Sequence, residues 1–408
     1  MNFAKIALAG GTALTLSMSM AMANGNEAYL KQDGAGNSAL VQQAAGPGSN
    51  RVGTELNPIL QDGDNNSFRE TQATGGGFSR GNNVIDAATQ RGDNNSFSSG
   101  YSNNAGGNMI QDALQDGDRN VIAIGRNASI DGTVGTVLQD GDRNIMTVTQ
   151  QSGTGNTVAL IQMIGDRNGA GTVNANNVGT RIIQSGNNNM ITESTVRGSN
   201  NNPTAGNGPL NVNVHSILQY GNDNGQIASR AVTLGSNGNT IQVLQNGNEN
   251  NFDLTQGINE ASTRNSIILN QIGNGNALTG VQAGDRNTIS ADKTGNENIA
   301  QMKQYGDDNS ATLNILGDRN GEVSAFSGVA ASLNLYSGDI LQTGAFNVAS
   351  LSIVGDKNAF AYNQNGNSNT ITGSITGDMN QAAVAQVGNS NIASFSQNGN
   401  GNNAAISQ

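Results

Sequence analysis

A glycine recurs every eleven residues near the end of this chain, at Gly344, Gly355, Gly366, Gly377, Gly388 and Gly399. An asparagine follows three positions after each, at Asn347, Asn358, Asn369, Asn380, Asn391 and Asn402. An earlier run repeats the pattern with Gly273, Gly284, Gly295, Gly306 and Gly317, followed by Asn276, Asn287, Asn298, Asn309 and Asn320. A fixed short period restricts a chain to a stacked architecture, in which each unit buries its apolar face only against its neighbours. A regular stack with open ends is also a template for further stacking.

Stepping by two from each asparagine gives the inward set. Asn391 leads to Ala393, Phe395 and Gln397; Asn380 leads to Ala382, Val384 and Gln386; Asn369 leads to Ile371, Gly373 and Ile375. The residues between are mostly small and polar, as in Thr370, Thr372, Ser374 and Thr376. Period-two alternation predicts a half-buried β-strand. The remaining x-Gly-x-x stretch predicts a tight turn in which glycine takes φ > 0. Two units then make one 22-residue coil of an all-β, two-sheet β-solenoid.

The last inward slot reads Gln342, Ile353, Gln364, Ile375, Gln386, Gln397 and Gln408. Alternation of Gln and Ile implies two chemically distinct sheets. Gln342, Gln364, Gln386 and Gln408 would stack one strand spacing apart, about 4.8 Å, each amide bonding the next. Gln282 and Gln304 fit the same slot in the earlier run, and the asparagines would form a matching ladder beside each turn.

Upstream the pattern loosens. The Gly-x-x-Asn turn recurs at Gly34, Gly63, Gly92, Gly117, Gly141, Gly153, Gly165, Gly186, Gly198, Gly221 and Gly247, with uneven spacing. A surplus residue can be absorbed as a bulge, and longer surpluses read as loops, notably at 199–208 beside Pro203 and Pro209. We therefore divide the chain into a leader (1–23), irregular repeats (24–270) and regular repeats (271–408), on the order of twelve to sixteen coils at one strand spacing each. Strand parity cannot be carried across 318–343.

Composition agrees with a stack held by its backbone. Among 408 residues there are 56 glycines, four prolines, no Trp and no Cys, and aromatics are 4%. That leaves too few large apolar residues for a conventional core and excludes disulfides. A net charge of −11 argues against a nucleic-acid partner. Lys5, the apolar stretch 6–20 and Ala21-Met22-Ala23 read as an export leader, and no later segment is apolar enough to span a bilayer.

Gln32-x-Gly34-x-Gly36-Asn37-x-Ala39-x-x-x-Gln43 and Gln397-x-Gly399-x-Gly401-Asn402-x-Ala404-x-x-x-Gln408 share one pattern, and the unit from Gln386 departs from it only at Ser390. The pattern resembles the curlin repeat, Q-x-G-x-G-N-x-A-x-x-x-Q, of curli subunits. The resemblance implies a bacterial functional amyloid subunit, secreted through an outer-membrane pore and nucleated at the cell surface by a partner subunit. It further implies end-to-end fibres for adhesion and biofilm. This chain has many more units than such subunits do, and its first repeat begins almost directly after the leader. A minor nucleating subunit and a capped, non-polymerising surface adhesin are the alternatives.

Few residues suggest chemistry. Gly-Asp-Arg-Asn recurs at 117–120, 141–144, 165–168, 284–287 and 317–320. Its aspartates read as solvated turn residues, or as gatekeepers whose charge slows off-target aggregation; a β-roll cation site would need a nine-residue period. Lys293, and Arg230 in a less certain frame, fall on Gln-type inward slots and are expected at a defect or snorkelling toward the turn. His215 is the only histidine and reads as a solvated loop residue. No enzymatic activity, cofactor or metal is expected.

Overall fold

The structure is a computed structural model that describes residues 7–8, 27–43, 50–72, 83–102, 107–127, 129–142, 144–150, 153–164, 180–185, 187–197, 214–234, 238–257, 262–322 and 325–408. The chain is a β-solenoid of about 12 turns built from parallel strands. It divides into two compact units, Met1–Gln219 and Tyr220–Gln408. The expected leader lies outside the described residues except for Ala7–Leu8, which pairs with Lys31 and Gln32. The expected loop at 199–208 and the third Gly-Asp-Arg-Asn turn also lie outside them.

In the second unit, one sheet stacks Ala277–Ala283, Ile299–Tyr305, Asp339–Thr343, Ala359–Asn365, Gln381–Val387 and Asn403–Ser407. We call it the glutamine sheet. The opposite sheet stacks Thr240–Asn246, Ser266–Ile272, Thr288–Thr294, Ser310–Leu316, Val348–Val354, Thr370–Thr376 and Ile392–Asn398. Every pair is parallel and in register, so each inward slot becomes a column. Burial alternates along each strand, as in Thr370–Thr376, where Ile371, Gly373 and Ile375 are buried and Thr372, Ser374 and Thr376 are exposed.

The core between the sheets is one side chain deep. Leu269, Leu313 and Leu351 from the opposite sheet and Leu278 and Met302 from the glutamine sheet are 0–1% exposed. The largest ring sits where the sequence places a glycine: a Cβ on Gly373 would collide with the Tyr362 hydroxyl and the Phe395 ring. Tyr362 and Phe395 meet edge to face, with centroids 6.1 Å apart.

Parity across 318–343 is settled by register. Gln304 pairs with Gln342 on the same sheet. The corresponding asparagine bond there spans 38 residues, against 22 for an ordinary coil. The surplus of 16 leaves the stack after Asn320 and returns at Asp339, forming an outer strap that contains the 3-10 turn Ala330–Leu333.

The first unit repeats the plan with longer strands. Val84–Arg91, Met109–Asp116, Thr133–Asp140 and Thr157–Ile164 each hold eight residues and lie in register. In Met109–Asp116, both Gln111 and Asp112 point away from the core, and Asp86 and Ala87 do so one rung earlier. The surplus residue that stretches the spacing is thus a bulge repeated in consecutive rungs, which keeps the parallel pairing intact.

Candidate functional site: the stacked amide ladders

The turn explains the motif. Its glycine has φ near +110°, for example 108° at Gly377. A Cβ at Gly344, Gly355 or Gly366 would also collide with the carbonyl of the next rung's turn glycine. Glycine is required twice over, for conformation and for rung spacing. Two residues later the chain turns left-handed again, at Glu297, Arg319, Lys357, Ser368 and Met379, with φ of 56–60°. Each such non-glycine residue costs about 1 kcal/mol. The second glycine of the twelve-residue pattern fills this place, with φ of 69° at Gly36 and 71° at Gly401. Spacing alone marked only the first of these two positions.

The asparagine after the turn joins rungs by two bonds. The backbone N–H of Asn298 donates to Asn276 Oδ1 at 3.1 Å, and Asn298 Nδ2 donates to the Gly317 carbonyl at 2.7 Å. Backbone bonds of the first kind link Asn309, Asn347, Asn369 and Asn391 in one column. They link Asn298, Asn320, Asn358, Asn380 and Asn402 in the other. Asn37 begins the same device in the first unit, accepting from the Asn66 N–H at 2.8 Å.

The glutamine sheet carries an unbroken ladder. Gln256 donates to Gln282, Gln282 to Gln304, Gln304 to Gln342, Gln342 to Gln364, Gln364 to Gln386 and Gln386 to Gln408, at 2.7–3.1 Å. Each Nε2 spends its other proton on a carbonyl that opens an opposite-sheet strand, such as Ser310 for Gln342. Buried amides are thereby satisfied, and each bond adds about 1 kcal/mol. In the first unit the ladder runs Gln32, Gln61, Gln90, Gln115, Gln139 and stops at the Met163 sulfur. Gln43 is placed by register beside Gln72.

The same slot on the opposite sheet reads Gln245, Gln271, Lys293, Ile315, Ile353, Ile375 and Gln397. Gln245 donates to Gln271 at 2.8 Å, and the ladder ends there. Gln397, at the far end, donates to the Gln381 carbonyl, while its Oε1 has no partner within the chain.

Three sequence expectations are corrected. Lys293 does not snorkel: it is 1% exposed and donates to the Ala277 carbonyl, taking over the cross-sheet bond of a ladder glutamine. Burial lowers its pKa to about 7. Arg230 points outward, beside Asp253 at 3.8 Å, because the register of Ser229–Thr233 puts Ala231 inward. His215 is no loop residue. It is fully buried in Val214–Tyr220, its Nδ1 lies 3.0 Å from Ser194 Oγ, and burial lowers its pKa to about 3.

The turn aspartates are half-buried or exposed, and bonded. Each accepts a backbone N–H from the preceding rung: Asp93 from Asp64, Asp118 from Asp93, Asp142 from Asp118, and Asp318 from Asn296. They are a third ladder along the turn edge, which the reading as solvated residues missed. Arg286 grips Asp308 of the neighbouring rung through two bonds of 2.7 Å, holding the Asp308 carboxyl below its usual pKa.

Among the described residues no cluster of three or more His, Asp or Glu side chains could hold a metal ion. No described helix is long and apolar enough to cross a membrane. No family model matches the chain, and no curated protein is similar to it.

Proposed function

We propose that this protein is a secreted structural subunit that polymerises end to end into a curli-like amyloid fibre, serving surface adhesion and biofilm matrix. The single observation that carries the reading is the match between the outermost rungs. The glutamine sheet ends with Ala404, Ile406 and Gln408 facing inward, and the rung next to Ala7–Leu8 of the expected leader, which becomes outermost once that leader is removed, presents Ala28, Leu30 and Gln32. On the opposite sheet the last rung offers Asn391, Ala393, Phe395 and Gln397, and the first offers Asn37, Ala39 and Val41. A second copy placed one strand spacing on would continue these columns in phase. Gln408 would donate to Gln32, and Asn391 Oδ1 would receive the Asn37 N–H. Such a contact repeats without closing, so it yields a filament.

By resemblance, the partners of such a subunit are a nucleator and an outer-membrane pore. A minor nucleating subunit would use the same ladders. A non-polymerising adhesin is favoured by one observation only: register stacks Ser290, Thr312, Ser350, Thr372 and Ser394 in a single hydroxyl column on the outer face of the opposite sheet.

The test is dilution of the purified chain from residue 24 onward out of denaturant, followed by dye fluorescence, electron microscopy and fibre diffraction. Sigmoidal, seedable growth with a reflection at about 4.7–4.8 Å is expected. A β-rich product that stays monomeric overturns the reading.

A further inference from the structure

The strap is the one described element of the second unit that reaches past its neighbouring rung. It leaves at Gly321, whose N–H donates to the Asn358 carbonyl, and returns at Gly338, whose N–H donates to the Phe360 carbonyl. Between these points, within what is described of 321–338, it lies on the outer face of the glutamine sheet and runs toward the C-terminal edge. Phe326 and Ala330 pack on Ala359, Ala361 and Ala383, with Leu333 and Leu335 alongside. Those alanines occupy outward slots yet are only 0–5% exposed. Their small side chains let the strap approach the sheet.

Four bonds fix its tip. The Ser327 N–H donates to Gln381 Oε1 at 2.7 Å, and Gln381 Nε2 returns a bond to Ser327 Oγ at 2.9 Å. The Ala330 N–H donates to Asn403 Oδ1 at 2.8 Å, and Asn403 Nδ2 donates to the Ser327 carbonyl at 2.7 Å. These contacts span 54, 73 and 76 residues. The ladders, in contrast, couple only adjacent rungs.

That difference has a mechanical consequence. In a stack held by nearest-neighbour bonds, the last rung has one neighbour and frays first. Here Asn403, at the start of the last glutamine-sheet strand, is tied through the strap to the rung of Asp339, three rungs back. We propose that the strap braces the last coil, so that the edge formed by Ile392–Asn398 and Asn403–Ser407 is a preformed template for a second copy of this chain. The template role rests on the filament reading above; the brace does not.

Two variants of the mature chain separate these claims. Phe326→Ser empties the strap's apolar anchor and leaves every ladder residue in place. Deleting residues 322–337 removes the surplus of 16 and restores ordinary coil spacing. Amide hydrogen exchange of the monomer over 399–408 is measured first. Exchange there is expected to be about tenfold faster in both variants, with 277–300 unchanged. Fibre seeds of each variant are then fed wild-type monomer, and slower elongation than from wild-type seeds is expected. Unchanged exchange overturns the brace. Faster exchange with unchanged elongation overturns the template role. A wild-type chain that never fibrillises overturns the filament reading, and the exchange result still decides the brace.

Discussion

The two sheets of the second unit share turn geometry and parallel register, yet solve one inward slot in opposite ways. The glutamine sheet fills it with amides from Gln256 to Gln408, each bonded to the next. The opposite sheet begins with Gln245 and Gln271, breaks at Lys293, and continues with Ile315, Ile353 and Ile375. A substitution inside an amide column is costly, because removing one member strands the donor of one neighbour and the acceptor of the other. An aliphatic column makes no such demand. The first kind of column specifies register; the second supplies burial.

The largest effect should come from breaking the amide column. Gln342→Leu strands Gln304 Nε2 and Gln364 Oε1, and should cost about 3 kcal/mol by denaturant titration of the monomer. A loss below about 1 kcal/mol would mean that the columns are energetically alike.

Next comes the break itself, with the opposite sign. Lys293→Gln would give Gln271 an acceptor and keep the bond to Ala277, and should stabilise the chain by about 2 kcal/mol near pH 7. The pH dependence follows from the lowered pKa of Lys293. Between about 7 and the ordinary lysine value of 10.5, the unfolded chain binds the extra proton. Wild-type stability should therefore rise through that window, and in Lys293→Gln this rise should vanish. A wild-type profile that is flat or falling there would show that Lys293 is not buried as a neutral amine.

The smallest effect is expected within the aliphatic column. Ile353→Leu conserves volume and strands no polar atom, so its midpoint shift should correspond to less than about 1.5 kcal/mol. A cost equal to that of Gln342→Leu would remove the distinction between the sheets.

Much of this architecture was legible beforehand because the period is short and fixed. The strand phase, the coil length, the glycine turn and the identity of the stacked amides all follow from which residues recur at eleven and at two. Three features were not legible. Lys293 falls on an inward slot, yet the cost of burying a cation pointed to a defect or to snorkelling toward the turn; the bond to Ala277 that holds it inside exists only across the sheets. His215 looked like a loop residue because the irregular spacing around it hid the strand. The turn aspartates looked free because their partners are backbone amides of another rung, 22–25 residues away in most cases.

The repeat, its alternation and the chemical identity of each column are written in the order of residues, because a parallel in-register stack maps every period onto one place. Which rungs neighbour one another across an insertion, which columns run unbroken, and where the 16 surplus residues go are settled only in the folded chain. Those outcomes depend on strand pairing and on the packing of Phe326 and Ala330 over Ala359, Ala361 and Ala383, contacts between residues far apart in the chain that no local pattern encodes.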